Sequence, residues 1–269
     1  MPDLIETAVS QTTTVDGLSI HYKVLGDTGP AVLLVHGGGC DMTFWTLQVE
    51  ALAAGRQVLL IDLPGHGQSD SPPDIRYSME LHAKAMDAVF SATGVDQAIV
   101  VGHSLGGPAL RMFHRLFPGR VRAMIILDGA VIYQAMGLMF NLMKLILNGP
   151  LYGIFWPPMV NAFTSRATPQ WGRDKVNASM KNAPRYVVRS FYPEMAHEDS
   201  ALKDPLPVPL LCIYADSPAW TAEIQQRIRA LSQQVELVMV PGVSHFLMLD
   251  KPDEINELLV NFCRKYEED

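Results

Sequence analysis

The sequence predicts an α/β fold: a mostly parallel, eight-stranded, doubly wound sheet with a helical lid inserted after strand six. Runs such as Ala31–Val35, Val58–Ile61, Ala98–Val101 and Ala123–Leu127 are apolar without alternation, as strands covered on both faces must be. Helically patterned segments separate these runs, and strand–helix alternation builds a parallel sheet through right-handed crossovers. One long stretch, residues 131–205, breaks that rhythm and gives the lid.

The chain opens with a hairpin, Thr12–Val15 and Leu18–Val24, about an Asp16-Gly17 turn. The buried strands follow at Ala31–Val35, Val58–Ile61, Ala98–Val101, Ala123–Leu127, Pro209–Tyr214 and Val235–Val240. Helices are expected over Phe44–Ala53, Met79–Thr93, Leu105–Phe117, Ala219–Leu231 and Pro252–Tyr266. Pro118-Gly119 stops the third. Pro252, Asp253 and Glu254 open the last, where a missing donor and negative charge suit the free N–H groups.

Residues 1–130 and 206–269 then form the core, and 131–205 the lid over the carboxyl edge of the sheet. The lid is rich in Met136, Met139, Met143, Met159, Tyr152, Phe155, Trp156 and Trp171, with Pro157-Pro158 as a break. Most of these side chains are expected to pack as core. A crevice beneath them would also be apolar.

With 269 residues, 48% hydrophobic and 18% charged, the chain can bury one sizeable core. A formal charge of −7 lacks the basic footprint that nucleic acid demands. Cys40, Cys212 and Cys263 show no CxxC spacing and read as reduced thiols of a cytoplasmic protein. Met1-Pro2-Asp3 does not open like a leader peptide. Ala135–Leu147, interrupted by Asn141 and Lys144, is too short and polar to insert in a membrane. Glu267-Glu268-Asp269 reads as a solvated end. Neither a cofactor nor a metal is expected, since His, Cys and carboxylates do not fall at ligand spacing.

Three motifs carry chemistry. Gly102-His103-Ser104-Leu105-Gly106 matches G-x-S-x-G, with the Ile99-Val100-Val101 strand before it and a helix after it. A strand–turn–helix of this kind lifts the serine hydroxyl clear of the sheet, at a helix N-terminus. His36-Gly37-Gly38-Gly39 follows the Ala31–Val35 strand. Its unobstructed backbone makes the Gly38 N–H, with that of Leu105, the expected pair of donors to an oxyanion. Pro241-Gly242-Val243-Ser244-His245-Phe246 follows the last strand and places His245 as the general base. His36 reads as a buried structural residue; His66, His82, His114 and His197 read as surface or loop residues.

With these motifs in this order, the chain resembles the α/β-hydrolase superfamily over nearly its whole length. The resemblance includes Asp62-Leu63-Pro64-Gly65-His66-Gly67-Gln68-Ser69-Asp70, a segment that it implies to be scaffold. It leaves two candidates for the acid that orients His245. The common pattern places an acid after the seventh strand, where this chain reads Ala215-Asp216-Ser217-Pro218, with the usual acid position falling on Pro218. Branches similar to haloalkane dehalogenases and zearalenone-type lactonases place it after strand six, where Asp128 stands 24 residues beyond Ser104. Asp128 is preferred to Asp216; its competing reading is a strand-end residue of the scaffold.

These readings imply a serine hydrolase that forms an acyl-enzyme with a fairly apolar ester or lactone, and the apolar lid leaves room for a homodimer. A carbon–carbon bond hydrolase on the same triad and a low-turnover receptor for a small ligand are the alternatives.

Overall fold

The computed structural model describes residues 4–132, 145–194 and 201–267, with backbone alone for 191–194. Eight strands form one sheet: β1 (Gln11–Val15), β2 (Leu18–Leu25), β3 (Ala31–Val35), β4 (Gln57–Ile61), β5 (Ala98–His103), β6 (Val121–Leu127), β7 (Leu210–Ala215) and β8 (Val235–Val240). Their spatial order is β1-β2-β4-β3-β5-β6-β7-β8. β2 runs antiparallel to β1 and β4, and all other pairs are parallel. Every residue of β3 and β5 is buried, which explains their unbroken apolar runs.

The helices whose bounds lie among the described residues are α1 (Leu4–Thr7), α2 (Val49–Ala53), α3 (Met79–Thr93), α4 (Gly106–Leu116), α5 (Tyr152–Ala162), α6 (Gln170–Asn182), α7 (Arg185–Glu194), α8 (Ala222–Arg229), α9 (Leu247–Asp250) and α10 (Pro252–Lys265). α3 starts where the Ser78 hydroxyl accepts from Leu81 N–H and stops at Gly94, φ 70°. It packs on α4 through Phe90 and Phe113, ring centroids 5.4 Å apart. α5, α6 and α7 occupy the chain between β6 and β7. Of the methionines expected there, Met136, Met139 and Met143 lie outside the described residues, as do Met1-Pro2-Asp3, residues 133–144, His197, Glu268 and Asp269.

The structure corrects several local expectations. Phe44–Ala53 is two pieces, a 3-10 turn over Met42–Trp45 and then α2. Asp41 caps the turn by accepting from Thr43 N–H, and the following bonds span three residues, as in Gln48 N–H to Trp45 O. α8 is shorter than Ala219–Leu231, because the Thr221 hydroxyl accepts from Ile224 N–H and starts the helix there. Pro157 and Pro158 lie inside α5 rather than breaking it. Tertiary anchoring outweighs the lost backbone bonds: Trp156 and Val160 are buried, and the Trp156 indole donates to Met180 O at 2.9 Å.

His66 lies in a loop as expected but is buried, and His82 and His114 are buried on α3 and α4 instead of lying at the surface or in loops. The His66 ring lies between those of His36 and His82, at 5.1 and 6.2 Å. Asp62 is a buried hub: its carboxylate accepts from the His21 ring at 2.7 Å and from the N–H groups of Met42 and Gln68 at 2.8 and 2.9 Å. Burial works to raise its pKa, but those bonds and the nearby His36 prevail and the net shift is downward. The Asp62–Asp70 segment is therefore scaffold that ties β2 to β4 and to the 3-10 turn. Among the described residues, no helix is long and apolar enough to cross a membrane.

Burial, followed by neighbouring rings, holds His66 and His103 well below the ordinary imidazole pKa and brings His82 down to about 3. Unfolding frees these rings to take up protons below pH 6.5, so acid favours the unfolded chain. Stability should fall with decreasing pH below that value, with a slope that approaches about 4 kcal/mol per pH unit for the three rings together. Urea titrations between about pH 7 and pH 5 check this; a midpoint that does not move would overturn it.

Candidate active site

Ser104 stands in the sharp turn between β5 and α4, with φ 51°. This left-handed conformation is costly for a residue with a side chain. It is held by Ser104 N–H donating to Leu127 O at 3.0 Å and by Gly107 N–H donating to Ser104 O at 3.0 Å. Close packing imposes the turn. A Cβ on Gly106 would come within 2.7 Å of the Val35 carbonyl oxygen.

Asp128 stands at the end of the neighbouring strand β6, also at positive φ, 44°. Its N–H donates to Ile213 O at 2.8 Å, and one carboxylate oxygen accepts from Ala215 N–H at 3.1 Å. The other accepts from His245 Nδ1 at 2.6 Å. That bond places the imidazole proton on Nδ1 and leaves Nε2 as the acceptor nitrogen. Asp216, the rival candidate, follows the last residue of β7 and is exposed, and its backbone N–H pairs with Val240 O. The structure thus brings Asp128, and not Asp216, against His245.

His245 sits in the loop between β8 and α9, braced on several sides. Ser244 N–H donates to the Asp250 carboxylate, and the Ser244 hydroxyl lies 3.2 Å from that of Thr168. His103 Nε2 donates to the His245 carbonyl at 2.9 Å. Burial and the adjoining His245 ring keep His103 neutral. Phe163 packs on the His245 ring at 5.1 Å.

Gly38 lies in a turn closed by Cys40 N–H donating to Gly37 O at 3.2 Å, with Gly39 at φ 72°. The N–H groups of Gly38 and Leu105 have no protein acceptor among the described residues. Both residues line one cavity of about 350 Å³ with Ser104, Asp128 and His245. The Ser104 hydroxyl and the His245 ring share it without a direct hydrogen bond. Trp156, Met159, Phe163, Met180, Val188 and Phe246 form its apolar wall. Among the described residues no Lys or Arg lines it, and no group of three or more His, Cys, Asp or Glu is placed to hold a metal ion.

Sequence reasoning singled out Trp156 and Met159 as lid residues but missed Phe163, Met180, Val188 and Cys40 as cavity lining. The α5–α7 region follows no strand–helix alternation that would tell which face meets the sheet. The sequence shows His103 only as part of the turn, because its bond to the carbonyl of His245, 142 residues away, leaves no local mark.

A model of an alpha/beta hydrolase family matches residues 32–258. The chain belongs to this family. It is 33% identical over 150 residues to an uncharacterised protein of Mycobacterium tuberculosis, a match that covers 56% of this chain and 43% of that one. It is 39% identical over 114 residues to bifunctional epoxide hydrolase 2 of Sus scrofa, covering 42% of this chain and 20% of that one. The chain thus spans less than half the length of these curated relatives. A thermophilic esterase from Thermogutta terrifontis superposes with a TM-score of 0.82 at 22% identity, over 97% of this chain and 100% of that one. An enzyme that degrades N-acyl homoserine lactone gives a TM-score of 0.74 at 25% identity, over 94% and 100% of the two chains.

Gly106→Ala should cost stability although alanine favours helices, because the added carbon meets backbone and not a side chain that can move. A loss of roughly 2 kcal/mol or more in urea unfolding is expected; unchanged stability would show that the turn has slack.

Proposed function

We propose that the protein is a serine hydrolase that cleaves an ester or lactone bond of a fairly apolar small molecule. One observation carries this reading: Ser104, held at φ 51°, opens into the same apolar cavity as the hydrogen-bonded Asp128–His245 pair. In the proposed mechanism, His245 Nε2 takes the Ser104 proton as the oxygen attacks the substrate carbonyl. Asp128 holds the ring and stabilises the imidazolium. The N–H groups of Gly38 and Leu105 receive the oxyanion. His245 then gives its proton to the leaving alcohol and activates the water that releases the acid and restores Ser104. The α5–α7 helices act as the lid.

Chemistry separates this reading from that of the epoxide hydrolase relative. Attack of Ser104 on an epoxide would give an ether, which water cannot clear as it clears an ester, so an enzyme that must turn over needs an acyl substrate. The wall of the cavity also favours a neutral substrate. A relative from Burkholderia vietnamiensis, 35% identical over 132 residues, is named as a hydrolase of a dienedioate and a trienedioate. Such a dianion would find no cationic side chain here among the described cavity residues, which weighs against a carbon–carbon bond hydrolase.

Hydrolysis of p-nitrophenyl esters of increasing acyl length, and of lactones, tests the proposal. Ser104→Ala should lower kcat by about 10⁴-fold or more, and Asp128→Asn by roughly 10⁴-fold. Asp216→Asn should leave it within about two-fold. Equal inactivity of the native chain and Ser104→Ala on every substrate would overturn the proposal, and saturable binding without turnover would turn it into a receptor.

A further inference from the structure

The turn Gly37–Cys40 is held by the carbonyl oxygens on its outer side. Gly37 O accepts from Cys40 N–H at 3.2 Å and from His36 Nδ1 at 2.8 Å. Leu63 N–H donates to His36 Nε2 at 3.0 Å, which fixes the proton of that ring on Nδ1. Gly39 O accepts from the hydroxyl of Ser179 at 2.6 Å. Ser179 belongs to α6, 140 residues further along the chain. The same helix is tied down a turn earlier, where Lys175 Nζ donates to Thr43 O at 2.7 Å. Its Met180 closes over Gly39, 3.3 Å from where a Cβ would stand.

These bonds form a series. In a trans peptide the C=O and the following N–H share one plane and point in opposite directions. The Ser179 hydroxyl donates to Gly39 O, whose peptide carries the Cys40 N–H. That N–H donates to Gly37 O, whose peptide carries the Gly38 N–H. Two peptide dipoles are thus lined up behind the Gly38 N–H, with the serine hydroxyl at their head. Hydrogen bonds in such a chain polarise one another, most strongly where water is excluded.

We propose that Ser179 is a positioning residue for the reaction: through the Gly39 and Gly37 peptides it aims and polarises the Gly38 N–H toward the oxyanion. The inference rests on the reading of Gly38 as an oxyanion donor. It makes α6 part of the catalytic apparatus as well as the cover of the cavity. With α6 docked, the Gly38 donor is fixed before charge develops; with the helix displaced, the turn loses one of its outer holds.

The test compares the native chain with Ser179→Ala, Ser179→Thr and Ser104→Ala on the best p-nitrophenyl ester, with a trifluoromethyl ketone as an oxyanion-forming inhibitor. Ser179→Ala should lower kcat about ten-fold, less than the loss of a direct donor, with KM within about two-fold. The affinity for the ketone should weaken by the same factor as kcat/KM, and Ser179→Thr, which keeps the hydroxyl, should recover most of both. Unchanged kcat in Ser179→Ala would overturn the proposal. So would a fall that comes with lost thermal stability and raised KM and that Ser179→Thr does not repair, since that describes a docking residue only. If native enzyme is active and Ser104→Ala is not, those outcomes count against Ser179 alone. If neither is active, the reading of the whole site falls and this inference with it.

Discussion

The site depends on the close packing where the carboxyl ends of β3, β5 and β6 meet the start of α4. Gly106 lies so near the Val35 carbonyl that no side chain fits. Ser104 N–H reaches back to Leu127 O on the neighbouring strand. The chain can satisfy those contacts only by turning sharply, and the turn puts Ser104 into the left-handed region. Two strands' ends are strained in the same way, Ser104 at φ 51° and Asp128 at φ 44°. Each such residue costs about 1–3 kcal/mol, which the surrounding sheet must offset. The rigidity that results holds the hydroxyl and the carboxylate in fixed directions without help from a ligand.

Given that frame, the electrostatics follow from how each group is bonded. Asp128 spends one oxygen on Ala215 N–H and the other on His245 Nδ1. Its charge is thus directed at the imidazole and is not spread into solvent. His103 adds a neutral brace between the serine turn and the backbone of His245; a second imidazolium in that place would repel the one that the proposed mechanism forms. Asp62 plays a different part with the same chemistry. Its pairing with His21 and two backbone N–H groups fixes loops and not a proton path.

The segment between β6 and β7 gives most of the cavity's apolar wall, and its contact with the glycine turn is both polar and apolar. Met180 packs against Gly39 while Ser179, its neighbour in sequence, donates to the carbonyl of that glycine. In the proposed mechanism, substrate shape and oxyanion geometry would therefore be set by adjacent residues of a single helix. A change in the lid that alters one is expected to disturb the other.

Much of this was legible in the sequence because it is written in local patterns. Unalternating apolar runs marked strands buried on both faces. The Gly-His-Ser-Leu-Gly turn, the His36–Gly39 loop and the position of His245 after the last strand are each contiguous, so their geometry follows from a few backbone angles. Asp128 against Asp216 could not be decided that way. Both end strands of the sheet, and only the register of β6 against β7 and the reach of the β8 loop determine which carboxylate meets the imidazole. The buried His66 and His82, the helix that runs through Pro157-Pro158, and the bond from Ser179 to Gly39 were equally out of reach. Each depends on partners far apart in the chain, where packing outweighs local preference.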